Sequence, residues 1–251
     1  MSVARAVVVL GATGGIGACV VRHLAARGHS VVAVGRSADS LVAVTAPLRE
    51  QGHAVAGFVS DLAHVTDGED IASFTLGSFR HIDVVINAAA VYEPSAATAL
   101  DPAQWSRTMD VNLRGPLLVT SSIARHFVGQ GSGRIVHISS ITAFVSRGGY
   151  TLYEASKAGL VAATRSMAVE LAPSGVLVNT VAPGWVRTPM SEQFLAGCAA
   201  ASIAELIPLG RVGEPEEIAE VVGWLATESP PFLTGQTIVV DGGQTARTAH
   251  L

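Results

Sequence analysis

The chain has 251 residues and a formal charge of −4, with 49% hydrophobic and only 14% charged residues. That is enough apolar material for one large domain with its own core, and it excludes a disordered or solvating chain. No excess of positive charge is available to neutralise phosphates, so neither nucleic acid nor an acidic membrane surface is an expected partner.

Short β-branched runs at 3–10, 30–34, 54–59, 82–87, 134–139, 176–181 and 237–240 alternate with helical patterns at 16–27, 40–51, 105–128, 150–171 and 214–227. Continuous apolar strands with helical crossovers predict a parallel sheet covered on both faces, a doubly wound Rossmann-like α/β fold of about seven strands. No linker divides the chain, so one domain over 1–251 is expected. Two stretches are irregular: 62–80, where Gly68 and Gly77 weaken any helix, and 189–209, a helical pattern flanked by prolines that reads as a substrate lid. The apolar run after Arg5 is too short for a leader, and Gly11 to Gly17 break it. No run reaches the roughly 18 residues of a membrane span. Cys19 and Cys198 have neither metal-ligand nor disulfide spacing, as in a reduced, cytoplasmic protein without a metal site.

After the first strand, Gly11-Ala12-Thr13-Gly14-Gly15-Ile16-Gly17 leads directly into a helix. Glycines there let backbone approach a pyrophosphate, and the helix N-terminus offers free N–H groups and a positive dipole end. Behind the second strand stand Gly35 and Arg36 in place of a carboxylate that would hold an adenosine ribose hydroxyl. An arginine there accommodates a 2′-phosphate, which favours NADP(H) over NAD(H), unless Arg36 is simply solvated. Asp61-Leu62 and Asn87 close the third and fourth strands, where open α/β sheets place ligands. Asp61 fits either an adenine amino group or a helix N-cap.

Of sixteen Lys plus Arg, the single lysine is Lys157, and it lies four residues beyond Tyr153 on a predicted helix, so the two side chains share a face. A tyrosine with a pKa near ~10 is a poor proton relay at neutral pH. A neighbouring ammonium and a cationic nicotinamide both favour the phenolate, and lowering the pKa by ~2 to 3 units takes about 3 to 4 kcal/mol.

Gly11-x-x-x-Gly15-x-Gly17, Asp61, Asn87, Asn112, Ser140, Tyr153-x-x-x-Lys157, Pro183-Gly184 and Asp241-Gly242-Gly243 occur in this order along the chain. In that order and spacing the sequence resembles the short-chain dehydrogenase/reductase family over nearly its whole length. The resemblance implies Tyr153 as the general acid or base at the substrate oxygen, with Ser140 (rather than its neighbour Ser139) hydrogen-bonded to that oxygen. It implies Lys157 on the nicotinamide ribose and Asn112 holding a water of a proton relay. Pro183, Gly184, Val186 and Thr188 would lie along the nicotinamide. Self-association into a homotetramer, through the helices of Asn112 and Tyr153 and the last strand, is likewise implied.

Three positions depart from the family pattern: Leu10 for a threonine, Ala89 for a glycine, and His137 for an asparagine. His137 reads as a hydrogen-bonded core histidine. Val91, Tyr92, Ile141, Phe144, Tyr150, Trp185, Met190 and Phe194 are expected around the substrate, which suits a hydrophobic or ring-shaped ketone or secondary alcohol. No arginine is placed obviously to clamp a carboxylate, although Arg147 and Arg187 are near enough to leave that reading open. A carrier-bound 3-oxoacyl group is the alternative substrate, though Gln130, Gly131 and Ser174 stand where basic docking residues are usual in such enzymes. A non-catalytic cofactor-binding sensor is a third reading, which the complete Asn-Ser-Tyr-Lys set disfavours.

Overall fold

The computed structural model describes residues 4–195 and 200–246. Seven parallel strands form one sheet: β1 (Ala6–Leu10), β2 (Ser30–Gly35), β3 (Val55–Val59), β4 (Val84–Asn87), β5 (Gly133–Ile138), β6 (Val176–Pro183) and β7 (Thr237–Val240), in the order β3-β2-β1-β4-β5-β6-β7. Every residue of β1 and β4 is buried, which is why both read as unbroken apolar runs rather than alternating ones. The direction of sheet growth reverses between β1 and β4, so their carboxyl ends diverge to different crossovers and leave a crevice.

The helices are α1 (Gly15–Ala26), α2 (Ala38–Glu50), α3 (Glu69–Phe79), α4 (Pro102–Met109), α5 (Gly115–Gln130), α6 (Thr151–Leu171), α7 (Pro189–Leu195), α8 (Ala200–Leu206) and α9 (Pro215–Thr227). Leu24 of α1, Leu41 of α2 and Val222 of α9 pack with Val7 and Val9 on one face of the sheet. Ile71 of α3, Ile123 and Phe127 of α5, and Ala168 of α6 pack with Val8 and Leu10 on the other. None of the described helices is long and apolar enough to cross a membrane.

Two elements differ from expectation. The stretch 62–80, weakened on paper by its glycines, contains α3. Its N-cap is Gly68, where a Cβ would lie 2.6 Å from the Val119 backbone, and whose N–H donates to Ser122 Oγ at 2.9 Å. Close approach to α5 therefore requires that glycine, and burial of Ile71, Ala72 and Thr75 outweighs the ~1 kcal/mol propensity cost of Gly77. The single helix expected over 105–128 starts earlier, at Pro102, where Asp101 accepts from the Gln104 N–H at 2.7 Å. It then widens into a π-helical turn, Asp110–Arg114, before α5. That turn places the buried Asn112 amide toward β4's exit and the Arg114 guanidinium on the carbonyls of Ala63 and Val65. It thereby ties down the loop that carries Asp61.

Candidate active site

The turn from β1 into α1 is built by backbone alone. Gly11 has φ 72°, and a Cβ on it would lie 2.6 Å from the Ala89 backbone, while a Cβ on Gly17 would lie 2.2 Å from the Gly11 carbonyl oxygen. Ala12 N–H donates to the Val34 carbonyl and Gly14 N–H to that of Gly11, so the turn holds without a side-chain hydroxyl at Leu10, which is fully buried in the core. The α1 N-cap, Gly14, provides no side chain to satisfy the first N–H groups of the helix. Those donors and the positive dipole end are therefore available to an anion.

This turn borders a cavity of about 900 Å³. Of the expected cofactor-binding residues, Gly11, Thr13, Gly14, Gly15, Ile16, Gly17, Arg36, Asp61, Leu62, Tyr153, Lys157, Pro183, Gly184, Val186 and Thr188 all line it. Thr188 packs so closely on the helix start that a Cβ on Gly15 would lie 2.7 Å from its Cγ2. Gly184 likewise abuts the turn after β7, where Asp241 accepts from Gly243 and Thr245. Asn87 does not reach the cavity: it is buried beneath, with Oδ1 accepting from Ala89 N–H and Nδ2 without a partner. Asp61 is not a helix N-cap, since α3 starts at Glu69; its carboxylate closes a two-residue turn by accepting from Ala63 N–H at 3.0 Å.

The chemical end lies where β5 meets α6. Ser139 Oγ donates to the Lys157 carbonyl at 2.8 Å, anchoring α6. Ser140 is the N-cap of a short 3-10 turn, and its Oγ accepts from Thr142 N–H and Oγ1. Structure thus separates the two serines: the first is a tether, and the second faces the cavity with Tyr153, whose phenol it draws downward in pKa. Lys157, 2% exposed, spends one N–H on the Ile138 carbonyl at 3.0 Å and keeps two donors. Its Nζ lies 5.7 Å from the Tyr153 ring centroid. Asn112 clamps Val91 through both its N–H and its carbonyl and also donates to Ser156 Oγ, which leaves the amide no spare hydrogen.

The expected lowering of the Tyr153 phenol by Lys157 is not produced by the protein's own groups. Burial pushes the phenol up to about 12, with the Ser140 hydrogen bond opposing it. The same burial takes the Lys157 ammonium down to about 8, which weakens the cation that was to do the work. The pair is therefore tuned toward a neutral phenol beside a readily deprotonated amine, and stabilising the phenolate needs further positive charge.

His137 also departs from its reading as a hydrogen-bonded core residue. It is fully buried on β5, and neither ring nitrogen has a partner. Burial, together with the Lys157 charge, holds it neutral with a pKa of about 4. The unfolded chain takes up a proton near pH 6.5 that the folded chain refuses, so this contribution is complete above that pH and is lost as pH falls toward 4. Between pH 7 and 5 the loss is about 2 kcal/mol. Urea unfolding at both pH values is expected to show that share removed in His137→Asn; an unchanged pH dependence contradicts the assignment.

At the substrate end, Tyr92, Ile141, Trp185 and Met190 line the cavity as expected, as does Val91. Tyr150 stands behind Tyr92, stacked at 4.3 Å and 4°, and Tyr92 meets Tyr153 edge-on at 4.7 Å. Phe144 is 52% exposed at the end of the 3-10 turn and does not line the cavity. The side chain of Phe194, and Cys198 entirely, lie outside the described residues. Arg187 ion-pairs with Glu214 on the exterior, whereas Arg147 lines the cavity. Sequence reasoning missed Ser95, whose backbone bridges to Gly149 and Thr151 and whose Oγ accepts from Leu152 N–H. This buried serine fixes the loop bearing Tyr92 to the start of α6, and no local motif marks it.

The chain matches the family model described as enoyl-(acyl carrier protein) reductase over residues 11–245. It is 39% identical over 246 residues to cis-4-hydroxycyclohexanecarboxylate dehydrogenase of Sinomonas cyclohexanicum, covering 96% of this chain and 97% of that protein. It is 35% identical over 242 residues to a 3-oxoacyl-[acyl-carrier-protein] reductase of Synechocystis sp., covering 96% of each. An actinorhodin polyketide ketoreductase variant crystallised with NADPH superposes with a TM-score of 0.90 at 30% identity, covering 98% of this chain and all of that one (100%). The chain belongs to the short-chain dehydrogenase/reductase family. It is an oxidoreductase that moves hydride between a nicotinamide cofactor and a carbonyl or secondary alcohol.

Proposed function

We propose that the protein is an NADP(H)-linked reductase of a ketone on a free, hydrophobic or cyclic small molecule. One observation carries this reading. Ser140, Tyr153 and Lys157 converge on one part of a cavity that also holds the open N-terminus of α1 and Arg36.

The residues fit a dinucleotide: the glycine turn leaves uncapped N–H donors for a pyrophosphate, and buried Lys157 retains two donors for ribose hydroxyls. A bound nicotinamide dinucleotide supplies the hydride. Ser140 and Tyr153 hydrogen-bond the substrate oxygen, and Tyr153, protonated at neutral pH, gives its proton to that oxygen as reduction proceeds. Lys157 holds the ribose and stabilises the phenolate left behind. Asn112 acts through position: its amide ties Val91, on the cavity wall, to Ser156 of α6.

Preference for the phosphorylated cofactor rests on Arg36, exposed at the end of β2 beside the cavity. Arg36→Ala is expected to weaken NADPH binding on the order of 10-fold or more while leaving NADH affinity nearly unchanged, read by fluorescence titration. Equal weakening of both, or a wild type that prefers NADH, contradicts it.

The body of the substrate is read from Ile141, Trp185, Met190 and Tyr92, and the relative that acts on a hydroxylated cyclohexane supports a ring. The segment 189–209, with Met190 and Leu206 on the cavity, serves as its lid, although 196–199 lie outside the described residues. The Synechocystis relative supports the second reading, a carrier-bound 3-oxoacyl substrate. Against it, Gln130 is tied to the Ile82 and Ser132 carbonyls rather than presenting a charge. Homotetramer assembly in the cytoplasm completes the proposal; the open edge β7, with Val239 41% exposed, and Val169 of α6, 81% exposed, support self-association.

A further inference from the structure

We infer that Gln244, in the turn after β7, forms a second polar subsite of the cavity: its side-chain amide binds a hydroxyl on the substrate body, so that the substrate is a hydroxy ketone or the corresponding diol. The inference rests on the reading of the cavity as the site of a ketone reductase, and it adds a second anchoring point and the polarity of the substrate's far end.

Buried side-chain atoms without a hydrogen-bond partner are few among the described residues: they belong to Asn87, Thr120, His137, Glu154 and Gln244. Of these residues only Gln244 lines the cavity. The unpaired atom is Oε1, which would lie 3.3 Å from a Cβ on Gly184, so the amide reaches from the end of β7 over the exit of β6. An amide oxygen buried without a donor costs free energy, and a donor brought by a bound molecule returns it. A hydroxyl both donates and accepts, and therefore suits the amide in either orientation of its oxygen and nitrogen.

The backbone beneath Gln244 is held on both sides. Asp241 accepts at its carboxylate from the N–H groups of Gly243 and Thr245 and from Thr245 Oγ1, and its carbonyl accepts from Gln244 N–H at 3.2 Å. Leu209 N–H donates to the Gly242 carbonyl at 3.1 Å, and a Cβ on Gly242 would lie 2.7 Å from Ile207 Cγ2, so the turn is also fastened to the chain that leaves α8. Such a turn presents a polar side chain at a fixed place, with Trp185 after Gly184 and Leu206 beside Ile207 as apolar walls. A hydrogen bond in such surroundings is stronger than one in water.

Position relative to the reacting group follows from the sheet. Ser140 stands two residues past the end of β5, β6 lies next to β5, and β7 follows with Val240 opposite Pro183. Neighbouring strands are about 4.8 Å apart, so an amide above β6 is about one strand spacing from the exit of β5. A six-membered ring with its carbonyl at Ser140 and Tyr153 and a hydroxyl across the ring spans that interval.

Calorimetric titration of the NADPH-loaded protein with 1,4-cyclohexanediol and with 4-methylcyclohexanol tests the subsite without turnover, since neither alcohol can accept a hydride. The diol is expected to bind tighter on the order of 10-fold, with the preference lost in Gln244→Met and NADPH affinity unchanged by that substitution. Equal or undetectable binding of the two alcohols to the wild type, or a preference that survives Gln244→Met, overturns the proposal. So does a loss of NADPH affinity on the order of 10-fold in the variant, which assigns the amide to the cofactor. A kinetic arm compares 4-hydroxycyclohexanone with 4-methylcyclohexanone. The ratio of kcat/KM for the first over the second should fall toward unity in Gln244→Met, chiefly through KM. Reduction of both at equal efficiency by the wild type rejects the subsite and leaves ketone reduction standing. No reduction of either, with the diol preference intact by calorimetry, rejects these ketones as substrates and leaves the subsite standing.

Discussion

Tyr153→Phe is expected to lower kcat on the order of 10³-fold, measured as NADPH consumption with a ketone substrate, while NADPH affinity stays within a factor of about two. The substitution removes one oxygen and keeps the ring, so the edge-on contact with Tyr92 at 4.7 Å survives and the wall of the cavity is unchanged. The lost group is, in the proposed mechanism, the proton donor to the developing alkoxide. Burial holds that phenol near a pKa of about 12, so in the protein's own field it is a protonated acid across the neutral range. Ser140 retains its two bonds from Thr142 and can still polarise the carbonyl, which accounts for a residue of activity. Turnover within tenfold of the wild type would mean that the proton comes from elsewhere, and a matching loss of NADPH affinity would point to damage to the cavity instead.

The sheet was legible because its central strands are buried on both faces: runs such as Val7 to Leu10 and Val84 to Ile86 show no alternation and leave little choice of architecture. The glycine turn and the Tyr153/Lys157 spacing were legible for a similar reason, since each is a local pattern whose geometry follows from one turn or one helix. Features made by contact between distant segments were not. The Asn112 amide is committed to Val91, twenty-one residues earlier, and the π-helical turn that directs it leaves no sign in hydrophobic periodicity. Ser95 was invisible because its role is to join a loop to α6 across fifty-seven residues. The phenol's pKa was legible only in part, because spacing reveals a neighbouring lysine but not the burial that, in the protein's own field, weakens its charge and raises the tyrosine. His137, too, looked like an ordinary core residue until neither nitrogen found a partner.

Lys157→Met should make the protein more stable and much less active. In the wild type the ammonium is driven down to about 8 by burial, whereas in the unfolded chain it titrates near 10.5. Because the folded value is depressed, the unfolded chain binds the extra proton between those limits, and stability falls as pH drops through them. At neutral pH the full penalty of about 3 kcal/mol is present. Methionine fills much of the same volume without the charge, and the lost bond to the Ile138 carbonyl returns about 1 kcal/mol. A net gain of about 2 kcal/mol is therefore expected in urea unfolding at pH 7. Activity moves the other way: with no ammonium to hold the ribose or stabilise the Tyr153 phenolate, kcat/KM should drop on the order of 10²-fold or more. The variant also separates two influences on His137, since removing the Lys157 charge should raise the imidazole pKa while burial continues to hold it down. A destabilised variant would show that the lysine is a packing element whose charge is better solvated than its burial implies; a stable variant with undiminished turnover would remove Lys157 from the catalytic set.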